Sequence, residues 1–287
     1  MPDLALTLTD RHRESISRLT PYKFHDAPDG SIEPYLELHT PAAATAVRLL
    51  PSFPLILTPL RASDFPAQTE CLNDDRVAFQ LVGPPYPYSN ELARGWAETK
   101  WRDTRTVFER WAREIDEYDD ARARRGSEQA RGDDLKTLSK PLVGVPFGTI
   151  RRGDTGEWLG DLGTSTWDYR DVEDLDERET RVKENDARQV GDVDKVWSFG
   201  YYLAPSYHSQ GIMSLCLSSL LQTYLVPYLD AQTIRSSAFA DNVASIRVQE
   251  NAGRLRRTGE TFWCQVSESR GGGRREEVVL EWKKGQE

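Results

Sequence analysis

The segment SYHSQGIMSLCLSSLL, residues 206–221, gathers chemistry-bearing groups in a short space. His208, Ser209, Gln210 and Gly211 lead into Ile212, Met213 and an apolar run. The first amides of a helix lack intrahelical partners and sit at the positive end of its dipole. A glycine there lets an anion approach the backbone, so this segment is suited to hold a pyrophosphate. His208, Ser209 and Gln210 can add side-chain donors. The same residues also describe an ordinary helix start after a loop. A second segment, DNVASIRVQENAGRL at 241–255, places Asn242 and Ser245 three residues apart at another helix start. Asn242 or Asp241 suits a cap there, and Asn242 suits a contact to a ligand between two strands.

Other chemistries find no support. The chain has neither GxxxxGK[ST] nor GxGxxG, so kinase, GTPase and dinucleotide readings lose their main motif. Cys71, Cys216 and Cys264 lie far apart, and His12, His25, His39 and His208 are scattered. Neither a metal site nor a disulfide framework is expected, which fits a reducing compartment. The net charge of −9 argues against nucleic acid as a partner and is compatible with a cationic or amine substrate. No apolar h-region is visible in MPDLALTLTDRHRES, so a cytoplasmic or nuclear location is expected. Residues 196–229 hold no Asp, Glu, Lys or Arg, yet Pro205, Ser206, His208, Ser209, Gln210 and Gly211 interrupt them. They read as a buried strand, a loop and a buried helix rather than a membrane span.

Which elements position these residues? VWSFGYYLAP (196–205) predicts a strand rich in aromatics and ended by Pro205. A helix follows over 211–224, a strand over 231–240 and a helix over 242–251 closed by Gly253. Strands near 255–266 and 276–284 flank a glycine-rich loop. Upstream, 53–65 reads as a strand and a helix start, with Ser63 or Asp64 as N-cap of a helix over 64–73. Leu92, Trp96, Val107, Phe108, Trp111, Ile115 and Tyr118 predict a long helix from Asn90 to Asp120. Residues 142–167 read as a hairpin around Gly-Asp-Thr-Gly.

Residues 1–50 read as an N-terminal extension with one strand at Tyr35–His39, and residues 51–287 as the main domain. Charged insertions are expected at about 119–134 and 168–194. The second holds eleven acidic and five basic residues, so most of the net charge sits in one solvated insertion or substrate-steering lid. The order of elements gives a mixed α/β fold, with helices packed on a central sheet.

Four segments together resemble the GNAT superfamily of N-acetyltransferases, and within it the branch that acetylates ribosomal-protein N-termini. They are FPLILTPLRASD (53–64), GEWLGDLG (156–163), FGYYLAPSYHSQGIM (199–213) and NVASIRVQENAG (242–253). The resemblance implies a central twisted sheet with two splayed parallel strands, and acetyl-coenzyme A as co-substrate. It places pantetheine on the edge Tyr201, Tyr202 and Leu203. It places the pyrophosphate on His208, Ser209, Gln210, Gly211, Ile212 and Met213, with Asn242 and Ser245 facing the cofactor arm. The family's loop usually reads Arg/Gln-x-x-Gly-x-Gly/Ala; here His208 and Met213 stand in the outer slots and Gly211 keeps its place. The tyrosine that many relatives use as general acid falls at Gln249.

The expected reaction is direct attack of a neutral amine on the thioester carbonyl, in a complex of both substrates. A strand amide would polarise the carbonyl, and a carboxylate or ordered water would take the amine proton. Asp161 is the candidate base; Tyr201 and Ser198 are candidates for protonating the leaving thiolate. Each also has a structural reading, Asp161 as an edge carboxylate and Tyr201 as core packing. The acceptor is an amine-bearing small molecule, a polyamine, a lysine or a peptide or protein N-terminus. No nucleic acid, membrane or metal is expected, and a homodimer is left open. The rival reading is a non-catalytic module that binds acetyl-coenzyme A, or a protein partner, on the same fold.

Overall fold

The computed structural model describes residues 6–39, 51–125 and 135–286. The chain opens with helix α1 (Asp10–Leu19), whose first turn is closed by Thr9 and His12 bonding to each other's backbone amides. Strands β1 (Tyr22–Asp26) and β2 (Ile32–Leu38) follow, then β3 (Leu55–Thr58). Helices α2 (Phe65–Asn73), α3 (Asp75–Ala78) and α4 (Asn90–Arg125) lead to the hairpin β4 (Thr149–Arg152) and β5 (Trp158–Thr166). Helix α5 (Leu175–Ala187) precedes β6 (Val196–Leu203), α6 (Ile212–Ser219), β7 (Thr233–Phe239) and α7 (Val243–Asn251). Strands β8 (Arg256–Gln265) and β9 (Arg274–Lys283) close the chain.

The strands form one nine-stranded sheet in the order β1-β2-β3-β4-β5-β6-β7-β9-β8. Among these neighbours the single parallel pair is β6 with β7. The larger core takes Phe108, Trp111, Phe147, Trp197, Phe199 and the apolar side of α6. A smaller core holds Leu60, Phe65, Tyr88, Ala93, Ala97 and Trp158, with Tyr202 packed on it. Side chains alternate along a strand, so Trp197, Phe199, Tyr201 and Leu203 share one face of β6 and Ser198, Gly200 and Tyr202 the other. Helix α4 serves both cores, through Ala93 and Ala97 in its first half and Val107, Phe108, Trp111 and Ile115 in its second.

Several expectations need correction. Residues 10–38, read as part of an extension, form a capped helix and two strands that continue the sheet from β3. The strand expected at Tyr35–His39 overlaps β2; α1 and β1 were hidden because their buried positions are few: His12, Ser15 and Ile16 on α1 and Tyr22 on β1. The acidic insertion is built around a regular helix, α5, capped by Asp174 through the amide of Glu177. Its far end is fixed by Asn185, fully buried, and by Lys195, whose ammonium donates to the carbonyls of Asn185 and Arg188 at 3.0 and 2.9 Å. The first charged tract is helical to Arg125, and the rest of it lies outside the described residues. Asp64 stands before α2 without capping it; its carboxylate is spent on Arg151 and the amide of Arg61. After α7 the left-handed residue is Arg254, not Gly253. Gly253 instead meets a close approach, since a Cβ there would lie 2.7 Å from the Gln249 carbonyl oxygen.

Among the described residues, no helix is long and apolar enough to cross a membrane. No group of three His, Cys, Asp or Glu among them could hold a metal ion.

Candidate functional site

The site begins where two strands part. β5 and β6 pair without interruption from Gly160 opposite Leu203 to Thr166 opposite Trp197. β6 and β7 share two rungs, Val196 with Thr233 and Trp197 with Ile234. β7 then follows β9 along its whole length, from Thr233 to Phe239. Ser198 through Leu203 therefore have no partner on β7, and a gap opens toward the C-terminal end of β6.

Backbone groups alternate between the two edges of a strand. The Val196 carbonyl accepts from Trp167, and the Ala204 amide donates to Leu159, so even-numbered residues of β6 face β5. Tyr201 and Leu203 thus turn their backbone groups toward the gap, while Tyr202 turns its own toward β5. The Leu203 carbonyl is already taken, because the His208 ring donates to it from Nε2 at 2.9 Å. His208 is accordingly folded back onto the strand end.

Beyond β6, one tight turn at Pro205–Tyr207 feeds the loop. Ser209 and Gly211 are both left-handed, at φ 60° and 75°, and Gly211 is the residue before α6. Gln210 folds its amide onto the Ser206 carbonyl. Among the described residues, no protein acceptor takes the amides of Ser209, Gln210, Gly211, Ile212, Met213 or Ser214. The first intrahelical bond is that of Leu215 to the Gly211 carbonyl. A row of free amides at the head of a helix, at the end of a central strand, fits a pyrophosphate. The Ile212 and Met213 side chains are buried in the core, so these two residues can offer backbone alone.

Across the gap, Asn242 caps α7 by accepting from the Ser245 amide at 3.1 Å. Ser245 in turn meets Tyr201: the phenol lies 2.9 Å from Ser245 Oγ and 3.2 Å from the Ser245 carbonyl oxygen. Gln249 donates to Ser245 Oγ from the next turn, at 3.2 Å. Burial pushes the Tyr201 phenol up to about 12, against its bonds to Ser245 and Gln249.

Asp161 stands opposite Tyr202 on β6 and Thr149 on β4. It is partly buried. Desolvation raises its carboxyl to about 6, while the nearby Lys100 charge pulls the other way. Tyr88 and Tyr202 are close enough to feel its charge, and Gln68 donates to the Tyr202 hydroxyl at 2.8 Å. Cross-strand partners share a face, so Asp161 and Tyr202 lie on the smaller-core side. Ser198 is on that same face, four residues along β6 and so about 13 Å from the level of Tyr202. Tyr201 is on the opposite face. The three expected catalytic residues thus do not converge in one cluster: Asp161 and Ser198 lie on one face of the sheet, about 13 Å apart in level, and Tyr201 on the other.

Gln68, Tyr88 and Lys100 escape a reading by motif because they come from helices and a loop whose packing brings them beside β5. Their signal is weak: Lys100 and Ala97 share a helix with the core residues, one turn apart.

Residues 146–254 match the family model of the acetyltransferase (GNAT) domain. Over this stretch the chain is similar to a GNAT acetyltransferase domain. The stretch runs from β4 through α7 and contains the parted strands, the free amides, Asp161 and the Tyr201–Ser245 contact. No curated protein matches the chain in sequence. Solved structures with a similar course include a GNAT-family acetyltransferase from Bacillus anthracis, 13% identical, with a TM-score of 0.47 over 82% of this chain and 97% of that one. Mycobacterium smegmatis RimJ in complex with CoA-disulfide is 15% identical, with a TM-score of 0.46 over 82% and 84%. The ribosomal L7/L12 α-N-protein acetyltransferase RimL, in its apo form, is 14% identical, with a TM-score of 0.48 over 91% and 99%. Likeness at this level assigns no residue of this chain a role.

Proposed function

We propose that the protein transfers an acetyl group from acetyl-coenzyme A to a primary amine, by direct attack with both substrates bound. The observation that carries this reading is the pairing of a two-rung parallel strand contact with a row of unpartnered amides at the end of the same strand. Acetyl-coenzyme A supplies an activated acyl group. The amides of Ser209 through Ser214 hold its pyrophosphate. The backbone of Tyr201 and the Leu203 amide bind the pantetheine arm in the gap.

Asp161 is the base of the proposed reaction. A carboxylate raised to about 6 is ionised at neutral pH yet basic enough to take a proton from an amine as the C–N bond forms. Its negative charge also favours a cationic acceptor on the side of β5 where Tyr88, Tyr202 and Lys100 gather. Tyr201, neutral because burial raises its phenol, can donate a hydrogen bond to sulfur as the C–S bond breaks. Ser198 lies too far along β6 to act with Asp161 on one atom.

Two measurements test the reading. Acetyl-coenzyme A at millimolar concentration raises the melting temperature by mass action. Free thiol then appears on incubation with a member of a panel of peptides with free N-termini, lysine, polyamines and small amines. No thermal shift would remove the proposal. A shift without thiol release from any amine would leave a binding module in its place.

A further inference from the structure

We propose that residues 79–88 form a strap across the gap on the Asp161 face, clasped by Arg270 and Arg275, which restricts the acceptor to a primary amine at the end of a slender, unbranched chain; this rests on the function proposed above. Arg270 lies in the turn between β8 and β9, and Arg275 lies on β9. The Arg270 guanidinium donates to the carbonyls of Val82, at 3.0 Å, and Pro84. This residue is 8% exposed, so the clasp belongs to the interior rather than the surface. Arg275 donates to the Phe79 carbonyl and to Asp241, 2.6 Å away, and lies 3.7 Å from the centre of the Phe239 ring. At the far end of the segment, Asn73 holds Tyr88 by both backbone groups. Its Oδ1 accepts from the Tyr88 amide at 2.8 Å, and its Nδ2 donates to the Tyr88 carbonyl at 2.9 Å. Between these holds runs Gly-Pro-Pro-Tyr-Pro-Tyr, 83–88, in which each proline fixes its own φ and stiffens the backbone.

Strand register carries the strap over the gap. Asp161 stands opposite Tyr202 across β5 and β6, and Val196 opposite Thr233 across β6 and β7. Side chains alternate along each strand, so Tyr202 of β6 shares a face with Ser237 and Phe239 of β7. Phe239 stands opposite Glu277, so Arg275 of β9 shares that face too. Val77 and Tyr88, on either side of the segment, are buried in the smaller core with Trp158, and Tyr202 packs against that core. The segment therefore leaves the smaller core beside β6, is held at β9 and at the turn before it, and returns to the smaller core at Tyr88. On the opposite face, the contact of Tyr201 with Ser245 ties β6 to α7. A wide acceptor cannot lie flat across a gap bridged in this way, whereas the end of a thin chain can pass beneath the strap toward Asp161.

The test follows thiol release from acetyl-coenzyme A with hexylamine and with its isomer 3,3-dimethylbutylamine. Both are primary amines of equal mass and similar basicity, and they differ in girth. The wild type is expected to favour hexylamine about a hundredfold in kcat/KM, the scale on which a closed site discriminates misfitting methyl groups. Arg270→Met and Arg275→Met free the strap, and each lowers that preference to about tenfold or less by raising the rate with the branched amine. KM for acetyl-coenzyme A and the thermal shift it gives stay at their wild-type values. A strap that merely supported the fold would instead lower the rates with both amines together. Arg275 is partly exposed, so its variant decides the matter should Arg270→Met not fold. An Arg275→Met protein that keeps the wild-type preference, or that loses rate with both amines alike, overturns the inference. So does a wild type that acetylates other amines of the panel but not hexylamine. Thiol release with no amine of the panel overturns the function proposed above, and the inference falls with it.

Discussion

The hydroxyl of Tyr201 lies 2.9 Å from Ser245 Oγ, so one polar contact joins β6 to α7 beyond the last rung that β6 shares with β7. The strand and the helix that border the gap are tied at its open end. Ser245→Ala removes this tie and leaves Tyr201 with the Ser245 carbonyl and the Gln249 side chain. The expected loss of stability is about 1 kcal/mol, the net worth of one hydrogen bond. Urea unfolding measures it. A wild-type midpoint in the alanine variant would show that the two elements need no tie.

Gly211 holds a left-handed conformation between the free amides of the loop and those of α6. Alanine there costs about 1–2 kcal/mol for its Cβ in that region of backbone space. Aspartate adds a carboxylate beside the proposed pyrophosphate. Gly211→Asp is expected to abolish the thermal shift given by acetyl-coenzyme A, and Gly211→Ala to reduce it, with both variants folded by circular dichroism. If Gly211→Asp keeps the full shift, the anion lies elsewhere.

Asp161 links rate to pH. Its folded carboxyl is raised to about 6, above an unfolded value of about 3.9. The group must be ionised to accept a proton, so kcat/KM should rise about tenfold per pH unit below 6 and then flatten. Asp161→Asn should lower kcat by about a hundredfold or more. The stability effect has the opposite sign. The folded state binds the extra proton between about pH 4 and 6, so this group favours folding at low pH and disfavours it above 6. Asp161→Asn should therefore melt higher than wild type at pH 8, with the difference shrinking toward pH 4. A variant with an unchanged pH–rate profile would assign proton removal to another group.

The sequence makes the C-terminal half of the site readable because that half is local. Strand β6, the loop after it and the start of α6 are adjacent in the chain, and α7 carries Asn242 and Ser245 within one turn. What the sequence cannot display is the competition for each polar group. Asn242 accepts from the Ser245 amide, Ser245 bonds Tyr201, and His208 bonds the Leu203 carbonyl, so groups that could face a ligand have protein partners. The environment of Asp161 is non-local, set by helices folded over β5 from residues 65–125. Apart from the strand read at Tyr35–His39, which overlaps β2, residues 10–38 were illegible for a related reason: an edge strand such as β1 has few buried positions and pairs on one side only.

Lys195 fixes the acidic helix α5 to the body. Its ammonium is buried, donates to the carbonyls of Asn185 and Arg188, and lies 5.2 Å from the centre of the Trp197 ring. Burial lowers its pKa from the ordinary lysine value. Lys195→Met keeps the stem and strands two carbonyls, at an expected loss of about 1–3 kcal/mol. Trypsin should then cleave faster after Arg178, Arg181 or Lys183 on the exposed side of α5, as read by mass spectrometry of the fragments. Equal cleavage rates in both proteins would mean that α5 is held by other contacts.

Arg151 and Asp64 form the most buried ion pair near the site. The guanidinium is 1% exposed and bonds both carboxylate oxygens, at 3.0 and 2.7 Å, as well as Thr58 Oγ1 and the Gly156 carbonyl. It locks β4 to the turn before α2, the helix that carries Gln68. Removing one partner leaves an uncompensated charge in the interior, so Asp64→Ala should cost about 3–5 kcal/mol. Replacing both, as Asp64→Leu with Arg151→Met, removes the charges together and should restore much of that loss. Urea unfolding of wild type, Asp64→Leu, Arg151→Met and the double variant in a double-mutant cycle gives the coupling energy. A double variant no more stable than Asp64→Ala would mean that the pair's bonds to Thr58 and Gly156, rather than its charges, hold the turn.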